Sequence, residues 1–215
     1  MKTPRSGMFC LFLVKMVCSE ILQTRNDQEP LDIRKYLSTT ENTWLYYKNY
    51  PDQVYKAPRP CLYDATVNVS KHTCLYDEYW GNGHPEYQQT LNGTFSVICE
   101  RGTEFSSLQV YDEKARLYKI YTLYFVDEDN CSVMAVNFSP QPLNLQTTCA
   151  PKSGSQFPHQ AALLKSGPPN CELRLREHSL YDGPGEKCQN VYRWSCGDRK
   201  ISVYDPSCLK SMPQR

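Results

Sequence analysis

The chain has 215 residues, 40% of them hydrophobic, and this length fits a single domain with one core. Its formal net charge of +1 provides no basic surface for nucleic acid or for an anionic membrane, and we expect neither as a partner. The 16 tyrosines and 15 prolines favour an all-β fold, because Tyr suits a half-buried pleated surface and Pro interrupts it.

The first 19 residues have the pattern of a secretory signal peptide. Lys2 and Arg5 form a positive region, residues 8–14 are apolar, and residues 17–19 include the small residues of a cleavage site. A buried N-terminal strand or helix is the alternative. The pattern predicts a secreted, extracellular protein with one domain over residues 20–215.

Short strands between two helices account for the rest of the chain. Residues 32–37 have helical spacing and predict a short N-terminal helix. Alternating Tyr, Val, Ile, Leu and Phe predict strands over 43–47, 61–69, 73–80, 88–98, 105–111, 117–126, 131–136 and 171–176. Residues 138–170, rich in Pro and Ser, are expected to form a long inserted loop. Residues 184–196 predict a C-terminal helix, and a short extended run follows over 201–204.

The stretch from Leu117 to Val136 is predicted to be the central hairpin. Its two strands are joined by the acidic turn over 127–130, whose short polar side chains can bond the turn backbone. We interpret this turn as solvated. A calcium site is disfavoured because the ligand spacing of a dedicated loop is absent.

About eight strands in meander order, with a helix after them, predict a closed antiparallel up-and-down barrel with the C-terminal helix packed outside. Eight strands enclose enough interior for one small ligand, and closure leaves no edge to protect. A β-sandwich is the alternative.

Motifs for catalysis or for a cofactor are missing from the sequence. We find no nucleophile elbow, no His/Cys/Asp constellation at motif spacing and no phosphate-binding glycine loop. The cysteines show no CxxC spacing, which disfavours zinc. We therefore predict a protein that is not an enzyme and uses no metal or cofactor.

The cysteines predict a disulfide framework. Signal cleavage would remove Cys10 and Cys18 from the 11 cysteines and leave nine, so four bridges would leave one thiol over. Cys74 and Cys99 flank the turn between the third and fourth predicted strands, and we expect them to face each other across an antiparallel pair.

Four N-x-S/T sequons agree with a secreted protein. Asn68 and Asn92 are the predicted glycosylation sites. Asn130 is a poorer acceptor because it precedes a cysteine expected to be bridged, and Asn137 is poorer because Pro140 follows its sequon.

Three stretches carry a resemblance to a known family. Residues 127–136, 170–175 and 188–208 are DEDNCSVMAV, NCELRL and CQNVYRWSCGDRKISVYDPSC. In these stretches the chain resembles the tick salivary lipocalins, the histamine-binding family of blood-feeding ticks. The resemblance is loose over residues 32–208 and sharp in the last third, apart from the 138–170 insertion. It implies a lipocalin barrel, secreted in saliva, that captures host inflammatory mediators.

The resemblance also implies two disulfides. The two bridges common in the family would join Cys131 to Cys188 and Cys61 to Cys208. By our own reasoning, Cys149, Cys171 and Cys196 then compete for one further bridge, and the sequence leaves that pairing open.

Candidate ligand-binding acids follow from the same resemblance. Amine-binding members carry an acid in three short motifs. In this chain the first motif keeps Asp52, the second has lost its acid at Ser132, and the third keeps Glu172 but has Arg174 in place of a Trp. Asp52 and Glu172 are therefore the predicted cation ligands.

Three aromatic side chains are considered as walls of that site. Tyr55 and Tyr124 are predicted to line it, where they could add cation–π attraction. Trp44 is a third candidate, although a first-strand Trp is more often a core plug at the closed end of a barrel.

The predicted function is the capture of a small host mediator by a monomeric, non-enzymatic binder. A biogenic amine such as histamine or serotonin is the first choice. A lipid such as a leukotriene or fatty acid is the alternative, since Arg174 could either neutralise Glu172 or receive a lipid carboxylate. A third possibility is an inhibitor of complement or of a clotting protease that acts through the 138–170 loop.

Overall fold

The computed structural model describes residues 31–52, 58–82, 85–97, 105–127, 131–144 and 169–209. The predicted signal peptide and most of the predicted insertion lie outside these residues. None of the helices in the described ranges is both long and apolar enough to cross a membrane.

The described chain is mainly β-structure. The strands are β1 Thr43–Lys48, β2 Tyr63–Val69, β3 Thr73–Trp80, β4 Tyr87–Val97, β5 Phe105–Asp112, β6 Leu117–Asp127, β7 Cys131–Ser139, β8 Cys171–Arg176 and β9 Ile201–Ser202. The helices are α1 Ile33–Leu37 and α2 Glu186–Cys196, with single 3-10 turns at Glu177–Ser179 and Pro206–Leu209.

Strands β1 to β8 close into an antiparallel barrel. Each strand pairs with the next along the chain, and β1 pairs with both β2 and β8. This order confirms the predicted up-and-down barrel and excludes the β-sandwich. The short β9 pairs with Tyr47 and Lys48, beyond the two residues of β1 that pair with β2. The C-terminal segment thereby completes the seam of the barrel.

Side-chain alternation separates an inner cluster from an outer layer. In β8, Leu173 and Leu175 pack in the outer layer against α2, whereas Glu172 and Arg174 line the lumen. All six residues of β8 are buried, because α2 covers the outer face of this strand. The inner cluster contains the apolar residues Phe95, Val110 and others of β3 to β7.

Helix α1 belongs to the inner cluster. Asp32 caps it by accepting a 2.9 Å hydrogen bond from the backbone N–H of Arg34. Ile33, Tyr36 and Leu37 are buried among the lumen side chains. The short N-terminal helix therefore packs against the lumen with its apolar face.

Three disulfides fasten the outer layer to the barrel. Cys61–Cys208 and Cys131–Cys188, the pairs implied by the resemblance, are both present. Cys171–Cys196 is the third bridge, and it resolves the competition that the sequence left open. Two of these bridges hold α2 against β7 and β8.

The predicted Cys74–Cys99 bridge is wrong. Cys74 carries a free thiol, is fully buried in the inner cluster and lies opposite Gly93 in the β3–β4 register. Its side chain points into the barrel, so a partner on the outer face is out of reach. Cys99 lies outside the described residues.

Strand β7 is longer than predicted. It ends at Ser139, three residues beyond the predicted end at Val136, and Phe138 pairs with Lys119 of β6. Residues 138 and 139 therefore belong to the sheet, and the loop begins after them. Both predicted glycosylation sites, Asn68 and Asn92, are exposed on strands β2 and β4, where each pairs with Leu75 of β3.

Candidate ligand site in the barrel lumen

Charged side chains are buried inside the barrel at an unusual density. Strand alternation that points apolar residues inward elsewhere also points ionisable residues inward here. They are Lys48, Arg59, Asp64, Glu78, Asp112, Lys119, Glu172, Arg174 and Arg176. Buried charges are costly unless they are paired, so their partners decide what the lumen can bind.

One group, the Asp64–Arg174–Glu172 cluster, carries an excess of negative charge. The Nε of Arg174 donates to Glu172 Oε2 at 2.8 Å, and its Nη1 forms an ion pair with Asp64 Oδ2. The hydroxyl of Tyr50 donates to the other oxygen of Glu172. Two carboxylates share one guanidinium, so the cluster has a net charge of −1 when both are ionised.

Asp64 is the incompletely satisfied member of this cluster. Its Oδ1 has no hydrogen-bond partner among the described residues and is buried. Burial raises the pKa of Asp64 to about 6, even though the charge of Arg174 acts in the opposite direction. A hydrogen bond from a cationic donor would stabilise a buried carboxylate oxygen that has no partner.

Asp64 faces a small cavity that we name the tyrosine cavity. Its volume is about 20 Å³, and its walls include Tyr36, Tyr76 and Tyr121. Apolar side chains complete it: Ile33, Leu37, Leu108 and Met134. An acid among aromatic rings is the environment that an organic ammonium ion prefers.

A second space, the charged cavity, lies on the other side of Arg174. Its volume is also about 20 Å³, and Tyr121 and Arg174 line both cavities. In the charged cavity Lys48 pairs with Asp52, and Lys119 lies 3.1 Å from Glu78.

The remaining charges next to the charged cavity are balanced. Lys119 Nζ also lies 3.0 Å from Asp112 Oδ2, and Arg59 pairs with Glu78. Arg59 and Lys119 thus face Glu78 and Asp112, two cations against two anions. Among the described residues this network has as many cations as anions, unlike the Asp64–Arg174–Glu172 cluster.

Both predicted acids line the charged cavity, but each has a cation of the chain beside it. Asp52 pairs with Lys48 and keeps a quarter of its side chain exposed. Glu172 is buried and contacts Arg174. The structure therefore places both acids beside one cavity and places a cation of the chain next to each of them.

The predicted aromatic walls lie elsewhere. Tyr124 follows the inward-facing Leu123 at the bulge between Leu123 and Phe125, and it packs against the outer layer as Phe125 does. Trp44 also lies in the outer layer, stacked on Tyr63 with 4.6 Å between ring centroids. Tyr55 lies outside the described residues.

Sequence reasoning missed Asp64 and the tyrosines of the tyrosine cavity. Their signal was the strand alternation itself. Asp64 shares inward parity with Thr66 in β2, and Tyr76 shares it with Glu78 in β3. An acid in the middle of a predicted barrel strand was informative without any motif.

The lumen as it stands is largely filled by its own side chains. A cavity of about 20 Å³ has room for roughly one water molecule, far below the several hundred Å³ of typical ligand pockets. A ligand of more than a few atoms must therefore displace side chains, and Arg174 and the side chains of α1 are among those that border the tyrosine cavity. The described residues contain no cluster of three or more possible metal ligands.

One of two similar solved structures has a TM-score above 0.5 and supports the fold. A serotonin complex of a protein named AM182 has 16% sequence identity to this chain and a TM-score of 0.56, covering 84% of this chain and 94% of that one. Japanin from Rhipicephalus appendiculatus, in a structure with bound cholesterol, has 10% identity and a TM-score of 0.46, covering 79% of this chain and 96% of its own. No curated protein sequence matches the chain.

The family assignment rests on the sequence profile. The profile described as tick histamine binding protein matches residues 22–210, which is most of the 215-residue chain. The closed barrel and the outer helix held by disulfides agree with that match. The chain therefore belongs to the tick histamine-binding protein family.

Proposed function

We propose that this protein binds a small cationic amine, of the histamine or serotonin class, inside its barrel. The observation that carries the proposal is the carboxylate of Asp64, which lines a cavity walled by tyrosines and whose Oδ1 has no hydrogen-bond partner among the described residues. The net negative charge of the Asp64–Arg174–Glu172 cluster supports it.

The energetics favour an ammonium ion at this position. A unit-charge pair at 4 Å gains about 4 kcal/mol at an effective dielectric constant of 20. Tyrosine faces add cation–π attraction, worth about 0.5–2 kcal/mol in desolvated sites. The family match and the serotonin bound to AM182, a protein of the same fold, point to the same ligand class.

A lipid carboxylate is the weaker candidate. Arg174 is the cation that borders the tyrosine cavity, and both Asp64 and Glu172 already bind it. An anionic ligand would have to compete with two buried carboxylates. The inhibitor hypothesis depends on the predicted 138–170 loop, whose residues 145–168 lie outside the described chain.

The setting that we propose is extracellular. Three disulfides in the described chain fit an oxidising compartment, and the exposed Asn68 and Asn92 are proposed to carry glycans. There the protein would act as a monomer and lower the free concentration of a host mediator by stoichiometric binding.

Isothermal titration of the oxidised protein tests the proposal. We expect saturable binding of serotonin or histamine, and Asp64→Asn should weaken it by at least about tenfold because it removes the charge that the ammonium ion faces. Asp77→Asn is the matched control, because Asp77 lies on the adjacent strand and accepts a hydrogen bond from Thr90 on the outer face. Binding of leukotriene alone, or of neither amine, would refute the proposal.

A further inference from the structure

We propose that Arg174 determines ligand specificity by acting as a built-in cation. It occupies one of two possible cation positions in the Asp64–Arg174–Glu172 cluster and separates the lumen into two cavities. The inference rests on the proposed amine binding and narrows the ligand class to short amines with a single positive charge.

The charge limit follows from the pairing. Asp64 and Glu172 both contact Arg174, and the cluster has a net charge of −1. One ammonium group neutralises it. A second ammonium group on the same ligand would be buried without a counter-charge, which is strongly unfavourable.

Neighbouring charges do not alter this count. Glu78 and Lys119 are the next charges that act on Asp64, and they belong to the balanced network with Arg59 and Asp112.

Arg176, the other buried cation of β8, lies beside Tyr36, a wall of the tyrosine cavity. Its Nη2 donates to the carbonyl of Tyr36 at 2.9 Å, and its Cζ lies 4.9 Å from the centroid of the Tyr36 ring. This second buried cation next to the cavity also disfavours a second ammonium group on the ligand.

The size limit follows from the position of the Arg174 side chain. Arg174 and Tyr121 line both cavities, and the Arg174 Cζ lies 5.7 Å from the centroid of the Tyr121 ring. The guanidinium, held by carboxylates on two sides, forms the wall between the two spaces. A long ligand can span them only if this wall moves and both ion pairs break.

Titration with hexylamine and hexamethylenediamine tests the charge limit, because the two probes have the same length and differ by one charge. The wild-type protein should prefer hexylamine. Arg174→Gln removes the cation that both carboxyl groups bind, so each of them can meet an ammonium group of the ligand, and it should shift the affinity ratio towards the diamine by at least about tenfold. Arg174→Lys keeps the charge and should leave the preference for hexylamine in place.

Glu172→Gln is the complementary variant. It brings the cluster to zero net charge and should weaken hexylamine binding by at least about tenfold without a gain for the diamine. Glu172→Gln also tests the inference if Arg174→Gln fails to fold. An unchanged hexylamine affinity in Glu172→Gln would overturn the inference.

The size limit needs a variant that keeps the charge. Glu172→Gln combined with Arg174→Leu removes one cation and one anion together, keeps Asp64 as the acid that meets the ammonium group, and removes the wall. Dodecylamine should then gain at least about tenfold over hexylamine relative to the wild-type protein. An unchanged ratio would contradict the partition by Arg174.

The two proposals fail in different ways. If the wild-type protein binds hexylamine and Arg174→Gln keeps the wild-type ratio, the role of Arg174 is refuted and amine binding stands. If the wild-type protein binds neither probe nor serotonin nor histamine, both proposals are refuted.

Discussion

Replacement of Lys119 by Met should severely destabilise the barrel. The Nζ of Lys119 lies 3.1 Å from Glu78 Oε1 and 3.0 Å from Asp112 Oδ2, and all three side chains are buried. At an effective dielectric constant of about 20, each contact corresponds to about 5 kcal/mol of attraction. Desolvation offsets much of this in the wild-type protein, but the variant leaves two carboxylates facing one remaining cation, Arg59.

The expected loss is about 3–5 kcal/mol in the free energy of unfolding, the usual cost of breaking a buried ion pair from one side. This is a large part of the about 5–15 kcal/mol by which domains are stable. Urea denaturation of the oxidised protein, followed by tryptophan fluorescence at pH 7, measures it. Lys114→Met is the matched control, since Lys114 is exposed on the neighbouring β5–β6 turn and should cost less than about 1 kcal/mol.

The loss should shrink on acidification. Burial alone would raise the pKa of Glu78, but the charges of Lys119 and Arg59 outweigh it and lower the pKa to about 2. In the wild-type protein the stability from this ionised carboxylate is complete above its ordinary pKa of 4.5 and disappears as the pH falls through about 2. Without Lys119 the carboxyl group takes up a proton at higher pH, so the difference between variant and wild type should be smaller at pH 4.

The double variant Lys119→Met with Glu78→Gln checks the cause. It leaves Arg59 opposite Asp112, one cation and one anion, and should recover at least half of the lost stability. A cost below about 1 kcal/mol at pH 7 for Lys119→Met, or a cost that grows at pH 4, would refute the reasoning.

Three further predictions concern the site and the cysteines. Amine affinity should be constant above pH 6 and fall by up to about tenfold per pH unit below it in isothermal titrations, because the ligand binds charged Asp64 and burial raises its pKa to about 6; pH-independent affinity would contradict this. Ala at both Cys171 and Cys196, 25 residues apart, should cost about 3–4 kcal/mol in urea unfolding through lost loop constraint, and an unchanged midpoint would refute it. Cys74 should resist Ellman's reagent in the native protein at pH 8 and react after unfolding, because burial raises its pKa to about 12. Cys74→Ala should remove the additional thiol that reacts on unfolding, and a reaction in the native protein would show the thiol to be accessible.

Local pattern was a reliable guide to the strands. Strands β3 and β8 have the predicted bounds, because each has clear alternation and follows a turn or loop segment. The predicted end of β7 was wrong, because the strand continues to Ser139. A Pro-rich stretch has the composition of a loop whether or not its first residues pair with a neighbouring strand. Pairing with β6 is a property of the two strands together and has no signature within residues 138 and 139 themselves.

The ligand-site prediction depends on contacts that no local pattern shows. Motif comparison pointed to Asp52 and Glu172, and both do line the lumen. Their neutralisation by Lys48 and Arg174 depends on which side chains the closed barrel brings together. Tyr124 follows the inward-facing Leu123 in β6, so strand alternation places it in the outer layer.

The sequence alone determined the strand order, the closed barrel, the outer helix and the family, because alternation, turn residues and cysteine-centred motifs are properties of contiguous segments. Only the tertiary structure decided that Cys74 carries a free thiol and that, among the described residues, Asp64 is an acid with an unpaired oxygen. Charge balance in a low-dielectric interior depends on distances between residues far apart in the chain, such as Asp64 and Arg174, and those distances exist only once the barrel has closed.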